Sequence, residues 1–138
     1  MPALEFLDTN ILVYGYDVTD IRKQRIAQNL VRRALAGEVV ASTQVIAEFA
    51  ATLLHKLSPA VPAEDVLRIL DALAPIKLVA PDNDLVRRAV EARSKYGLHF
   101  YDGMIIAAAE RAGCTTIWSE DLSDGQRYFG LSVSNPFR

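Results

Sequence analysis

The sequence is poor in the residues that build redox and zinc sites: it has one cysteine, Cys114, and two histidines, His55 and His99. A single cysteine cannot form an internal disulfide, so a reducing, cytoplasmic setting is expected. Nor do one cysteine and two histidines supply a zinc ligand set. Excess positive charge is missing too. The formal net charge is -2, which argues against a non-specific DNA binder but not against an enzyme that meets RNA through a local patch. No apolar run approaches the ~18 residues of a membrane span, so no membrane partner is expected. The opening MPALEFLDTN carries acids where a secretory leader would carry bases, and no leader is expected. The glycines form no Walker-type or dinucleotide-type phosphate loop.

What is present is a chain of 138 residues, 51% hydrophobic and 23% charged. That is enough for one domain, 1–138, with a sizeable core. Strand-like runs (ALEFLD, EVVAS, IKLVA, CTTIWS and a short one in GLSVSNPF) alternate with segments of helical period. These are TDIRKQRIAQNLVRRALAG, TQVIAEFAATLLHKL, AEDVLRILDAL, DNDLVRRAVEARSKYG and DGMIIAAAERAG. Alternation of this kind predicts an α/β fold with a mainly parallel central sheet of four to five strands flanked by helices.

Open parallel sheets place their sites beyond the carboxyl ends of the strands. Asp8 ends the first strand, with Asn10 two residues on. Ser42 and Thr43 end the second, and Glu48 lies a turn into the following helix. Asp102 opens the helix after Tyr101, and Ser119 and Asp121 follow the strand ending at Trp118. Each acid alone has a plain structural reading: a helix cap for Asp8 or Asp102, a turn for Asp121, a surface position for Glu48. Together, four acids separated by 40, 54 and 19 residues are expected on one edge, where their mutual repulsion would raise their pKa values. A divalent cation relieves that conflict. Oxygen-only ligands suit Mg²⁺ or Mn²⁺ and the hydrolysis of phosphate esters.

The segments FLDTNILVY, ASTQVIAEF, FYDGMIIAAA and WSEDLSDGQ resemble, in order, the four acidic motifs of PIN-domain ribonucleases. The tail DLSDGQRYFGLSVSNPF resembles VapC-type toxins of toxin–antitoxin systems. The resemblance implies a three-layer α/β/α PIN-like fold and a metal-dependent endoribonuclease. It makes Asp8, Glu48, Asp102 and Asp121 the catalytic and metal-binding acids, with Asn10, Ser119 and, more loosely, Thr43 in support. Ser119 stands where threonine is common, which keeps the hydroxyl. An RNA substrate, a cognate antitoxin and a homodimer follow from the same likeness.

Two other readings stand beside it. One is a phosphatase with Asp8 as nucleophile, although such enzymes want a second aspartate where Asn10 stands. The other is a non-catalytic RNA- or protein-binding module on the same fold. Arg22, Lys23 and Arg25, near the exit of the first strand, are candidates to guide RNA phosphates, against the plainer reading of a solvated helix face. Tyr14 and Tyr16 are candidates to stack a base, against edge packing. Cys114 and the run His99-Phe100-Tyr101 are read as structural, the latter as strand packing. The alanine- and leucine-rich helices around IAEFAATLLHKL and VLRILDALA carry apolar surface suited to a two-fold dimer.

Overall fold

Residues 3–138 are described by the computed structural model. The strands are β1 (Leu4–Leu7), β2 (Val39–Ser42), β3 (Leu78–Val79), β4 (Cys114–Trp118), β5 (Arg127–Tyr128) and β6 (Leu131–Ser134). The helices are α1 (Thr9–Tyr16), α2 (Ile21–Leu35), α3 (Thr43–His55), α4 (Ala63–Leu73), α5 (Asn83–Tyr96) and α6 (Phe100–Arg111). One sheet holds all six strands in the order β3-β2-β1-β4-β6-β5. Every pairing is parallel except the β5–β6 hairpin.

The sequence explains most boundaries. Asp20, Ser42 and Asp82 each accept a hydrogen bond from a backbone N–H two or three residues into the helix that follows, as N-caps do. Gly97 ends α5 in the left-handed region, at φ 70°, a conformation that costs glycine nothing. All four residues of β2 are buried, as in a strand covered by helices on both faces. Phe6, Leu7, Ile11, Phe49, Ile106 and Ile117 are almost completely buried and make the centre of the core.

The outline differs from the expectation in four places. TNILVYGY forms its own helix, α1, where no separate helix was anticipated. Its apolar residues resume at Ile11, after only three polar residues beyond β1, and its start signal is Asp8 itself, which accepts from the Thr9 N–H. The sheet has six strands, not four or five: IKLVA pairs through only two residues, and the unanticipated hairpin strand β5 adds a sixth strand. That hairpin turns through Phe129 and Gly130, both at positive φ (48° and 82°). Such a turn is usually written Asn-Gly or Asp-Gly, so Phe-Gly gave no signal. Finally, His99-Phe100-Tyr101 is not strand: His99 is the N-cap of α6, its ring nitrogen accepting from Tyr101 N–H at 3.3 Å.

At Gly103, α6 packs tightly against the backbone of α5. A Cβ there would lie 2.6 Å from the Ala89 carbonyl oxygen, a backbone atom that cannot rotate away. Gly103→Ala should therefore push the helices apart and destabilise the fold by about 1–3 kcal/mol. Urea denaturation checks this; an unchanged midpoint would mean that the contact is not tight.

Candidate functional site

The order of the strands reverses at β1. From β1 the chain builds outward through β2 and β3, then returns to the other side for β4 and β6. The carboxyl ends of β1 and β4 thus border the crevice where open parallel sheets bind ligands. Asp8 stands there, its N–H donating to the Trp118 carbonyl at 3.0 Å. Its side chain is 7% exposed.

Both oxygens of the Asp8 carboxylate accept hydrogen bonds. One oxygen accepts from Thr9 N–H at 2.7 Å. The other accepts from the Ser119 hydroxyl at 2.7 Å and the Asn10 amide at 3.4 Å. Burial pushes its pKa up to about 6, against the Ser119 and Thr9 hydrogen bonds, and the charges of Asp121 and Glu48 add to the rise. Ser119 is wholly buried, and its oxygen also receives the Asp121 and Leu122 N–H groups at 3.2 Å each. The Asn10 amide donates further to Asp121 Oδ2 at 3.1 Å.

Glu48 arrives from α3. Its side chain is exposed rather than buried in the apolar stretch around it, and it accepts from the Thr9 hydroxyl at 3.2 Å and Gln44 Nε2 at 3.3 Å. Gln44 also donates to the Tyr101 carbonyl at 3.1 Å, tying α3 to the start of α6. Asp102 is half-buried in the first turn of α6. Since His99 provides the cap, Asp102 keeps its carboxylate free: among the described residues it has no side-chain hydrogen bond. Burial raises its pKa first, the nearby His99 lowers it and Asp121 raises it again.

All four acids line one cleft of about 500 Å³, together with Thr9, Asn10 and Glu120. Thr43 does not line it; it is exposed, and Ser42 rather than Thr43 caps α3. Arg22, Lys23 and Arg25 do not line it either. Arg22 donates to the Phe137 carbonyl at 2.6 Å, and Lys23 pairs with Glu120 at 2.5 Å. Arg25 is exposed and has no ion pair among the described residues. Tyr14 lines the cleft but gives its hydroxyl to Glu120 at 2.6 Å, and Tyr16 packs on Phe49 with ring centroids 5.6 Å apart. The cation on the lining is Lys56, at the end of α3, which the sequence reading missed. The helical spacing of Glu48, Thr52 and Lys56 on one face was the available signal. Cys114 is buried, and burial together with the Glu5 charge pushes its thiol up to about 11, consistent with a structural role.

The acids around the cleft offer oxygen alone, which fits a hard divalent cation, and Mg²⁺ characteristically keeps several waters beside one or two carboxylates. Among the described residues no three acids close on one point as a ready-made ligand set.

An acidic cleft at the switch point of a parallel sheet places the chain among α/β proteins of the open, helix-flanked kind. The PIN domain family model matches residues 6–123, and the chain belongs to the PIN-domain family. No curated protein sequence matches it significantly. Among solved structures, it is similar to a toxin–antitoxin complex from Klebsiella pneumoniae at 21% identity and TM-score 0.68, covering 96% of this chain and 97% of that one. DNA-bound VapBC from Salmonella typhimurium gives 17% and 0.69, covering 98% and 99%. The Mycobacterium tuberculosis VapC20, described as a sarcin-ricin loop cleaving toxin, gives 18% and 0.63, covering 85% and 91%. At these identities the likeness is one of fold.

The raised pKa of Asp8 has a consequence for stability without metal. The folded state binds the Asp8 proton more tightly than the unfolded state does, so its contribution is favourable below the ordinary carboxyl range and is lost as pH rises toward about 6. Asp8→Asn should be more stable than the parent at pH 7 in chelator, by roughly 1–3 kcal/mol, and the gap should close below about pH 4. Denaturation at the two pH values checks this; a gap independent of pH would contradict it.

Proposed function

We propose that this PIN-domain protein is an Mg²⁺- or Mn²⁺-dependent endoribonuclease and the toxin half of a toxin–antitoxin pair. The observation that supports this most is the convergence of Asp8, Glu48, Asp102 and Asp121 on one cleft from four separate elements. The fold likeness to VapBC complexes and to an RNA-cleaving VapC supports it from a second side.

In this reading Asp8, Asp102 and Asp121 hold the metal and Glu48 completes its shell or orients the attacking water. When bound, a divalent cation supplies the positive charge that offsets the acids, makes water a better nucleophile and stabilises charge developing on phosphate. The other tasks fall to the chain itself. Asn10 and Ser119 fix the rotamers of Asp8 and Asp121 through the hydrogen bonds described above. Thr9 and Gln44 hold the Glu48 carboxylate toward the cleft. Asp102 sits in the first turn of α6, where the helix dipole favours its negative form. Lys56 lines the same cleft and is suited to a phosphate of the RNA strand.

Cleavage of single-stranded RNA should require Mg²⁺ or Mn²⁺ and fall by about a hundredfold or more in Asp8→Asn or Asp102→Asn. Sequencing the fragments made by purified protein identifies the target. Cleavage at the parent rate in excess chelator would remove the metal from the reading.

The reading also assigns an antitoxin partner and a homodimer. A partner arginine would suit the acid cleft, because a guanidinium meets carboxylate oxygens in a fork and stays charged. Inhibition by the co-encoded partner should weaken as Mn²⁺ is raised, since cation and guanidinium compete for the same oxygens. Inhibition indifferent to Mn²⁺ would place the antitoxin elsewhere. Light scattering at tens of micromolar (roughly) reads the dimer, and a monomer there would reject it.

A further inference from the structure

Lys23 belongs to the basic cluster that the sequence offered as an RNA guide, yet its ammonium is turned inward. It pairs with Glu120 Oε2 at 2.5 Å and donates to the Tyr14 hydroxyl at 3.3 Å. It also lies 4.7 Å from the Tyr14 ring centroid and 5.2 Å from that of Phe137, within cation–π range. The Tyr14 hydroxyl donates in turn to Glu120 Oε1 at 2.6 Å. Both oxygens of Glu120 are thus held, one by α1 and one by α2. The Glu120 backbone is held from the other side, its N–H donating to Asn10 Oδ1 at 3.0 Å.

The residues flanking Glu120 are Ser119, which hydrogen-bonds Asp8, and Asp121, which lines the acid cleft. Tyr14 stacks edge-on against Phe137 at 4.9 Å, and Arg22 holds the Phe137 carbonyl. Near the chain's end, Phe137 therefore closes the same node. A node of this kind fixes the loop after β4 relative to α1 and α2, and so fixes where the Asp121 carboxylate stands relative to Asp8.

We propose that Lys23, Glu120 and Tyr14 form a brace that sets the Ser119–Asp121 loop in the acid cleft, which makes Lys23 a positioning residue and not an RNA contact. This rests on the reading of the cleft as the nuclease site. The chemistry separates the two roles. A phosphate contact acts on RNA binding and its salt dependence. A residue that orients a ligand-bearing loop acts on metal affinity and turnover, by about tenfold or more.

The test compares Lys23→Met, Lys23→Arg and Glu120→Gln with the parent. Mn²⁺ affinity is read by calorimetry, and kcat and KM by cleavage of a labelled single-stranded RNA pool. The brace predicts that Lys23→Met weakens Mn²⁺ binding and lowers kcat by about tenfold each, with KM unchanged. Lys23→Arg should restore most of both, and Glu120→Gln, which keeps the shape and drops the charge, should lie between. A raised KM with unchanged kcat and Mn²⁺ affinity would overturn the brace in favour of RNA guidance. Unchanged values throughout would overturn it too. If Lys23→Met fails to fold, Glu120→Gln decides on the same readouts. If the parent binds Mn²⁺ but cuts no RNA, the nuclease reading fails, and Mn²⁺ affinity alone still tests the brace.

Discussion

The constraint on which the site depends is the burial of one carboxylate, Asp8, with other carboxylates close by. Asp8 is buried, and it stays in the fold because its oxygens accept from Thr9, Ser119 and Asn10. Those three donors offset part of the cost of burial but not all, and so its proton is held up to about pH 6. Asp121 and Asp102 act on the same region, and the Asp102 carboxylate has no hydrogen bond among the described residues. A fold that keeps such a cluster sacrifices stability at the place where the proposed function puts a cation.

The backbone turns this charge problem into a site. β1 lies between β2 and β4, and the reversal of strand order beside it opens the sheet's carboxyl edge. Asp8 and Ser119 follow adjacent strands there, joined through the Asp8 N–H and the Trp118 carbonyl. Glu48 and Asp102 come from α3 and α6, linked through Gln44. The close approach of α5 and α6 at Gly103 sets where α6 begins, and with it where Asp102 stands. Packing and chemistry are therefore joined within FYDGMIIAAA: the glycine serves the helix contact and the acid beside it serves the cleft.

Particular residues show how far sequence reading reaches. The alternation of apolar runs placed the parallel strands, and strand ends followed by polar residues located Asp8, Ser119 and Asp121. Their pairing across more than a hundred residues follows from the adjacency of β1 and β4, which the alternation alone does not give. Lys23 was a candidate RNA guide against the reading of a solvated face, because sequence position shows that a lysine is near a site but not which way it points. The contact with Glu120, 97 residues away, is tertiary and invisible at that level. α1 was hidden because TNILVYGY is apolar on nearly every side, leaving no period to detect. Thr43 was placed with Ser42 at the end of the second strand, and the tertiary geometry separates them: Ser42 accepts from the Val45 N–H while Thr43 is exposed outside the cleft. The hairpin at Phe129-Gly130 was missed because positive φ at a phenylalanine has no compositional signature.

If these acids act as one cation-responsive site built around Asp8, carboxyl-carbon NMR of Asp8 through a pH titration should show it. The midpoint should lie near 6 without metal and lower by about a unit or more once Mg²⁺ is added. A midpoint in the ordinary aspartate range that ignores Mg²⁺ would contradict it.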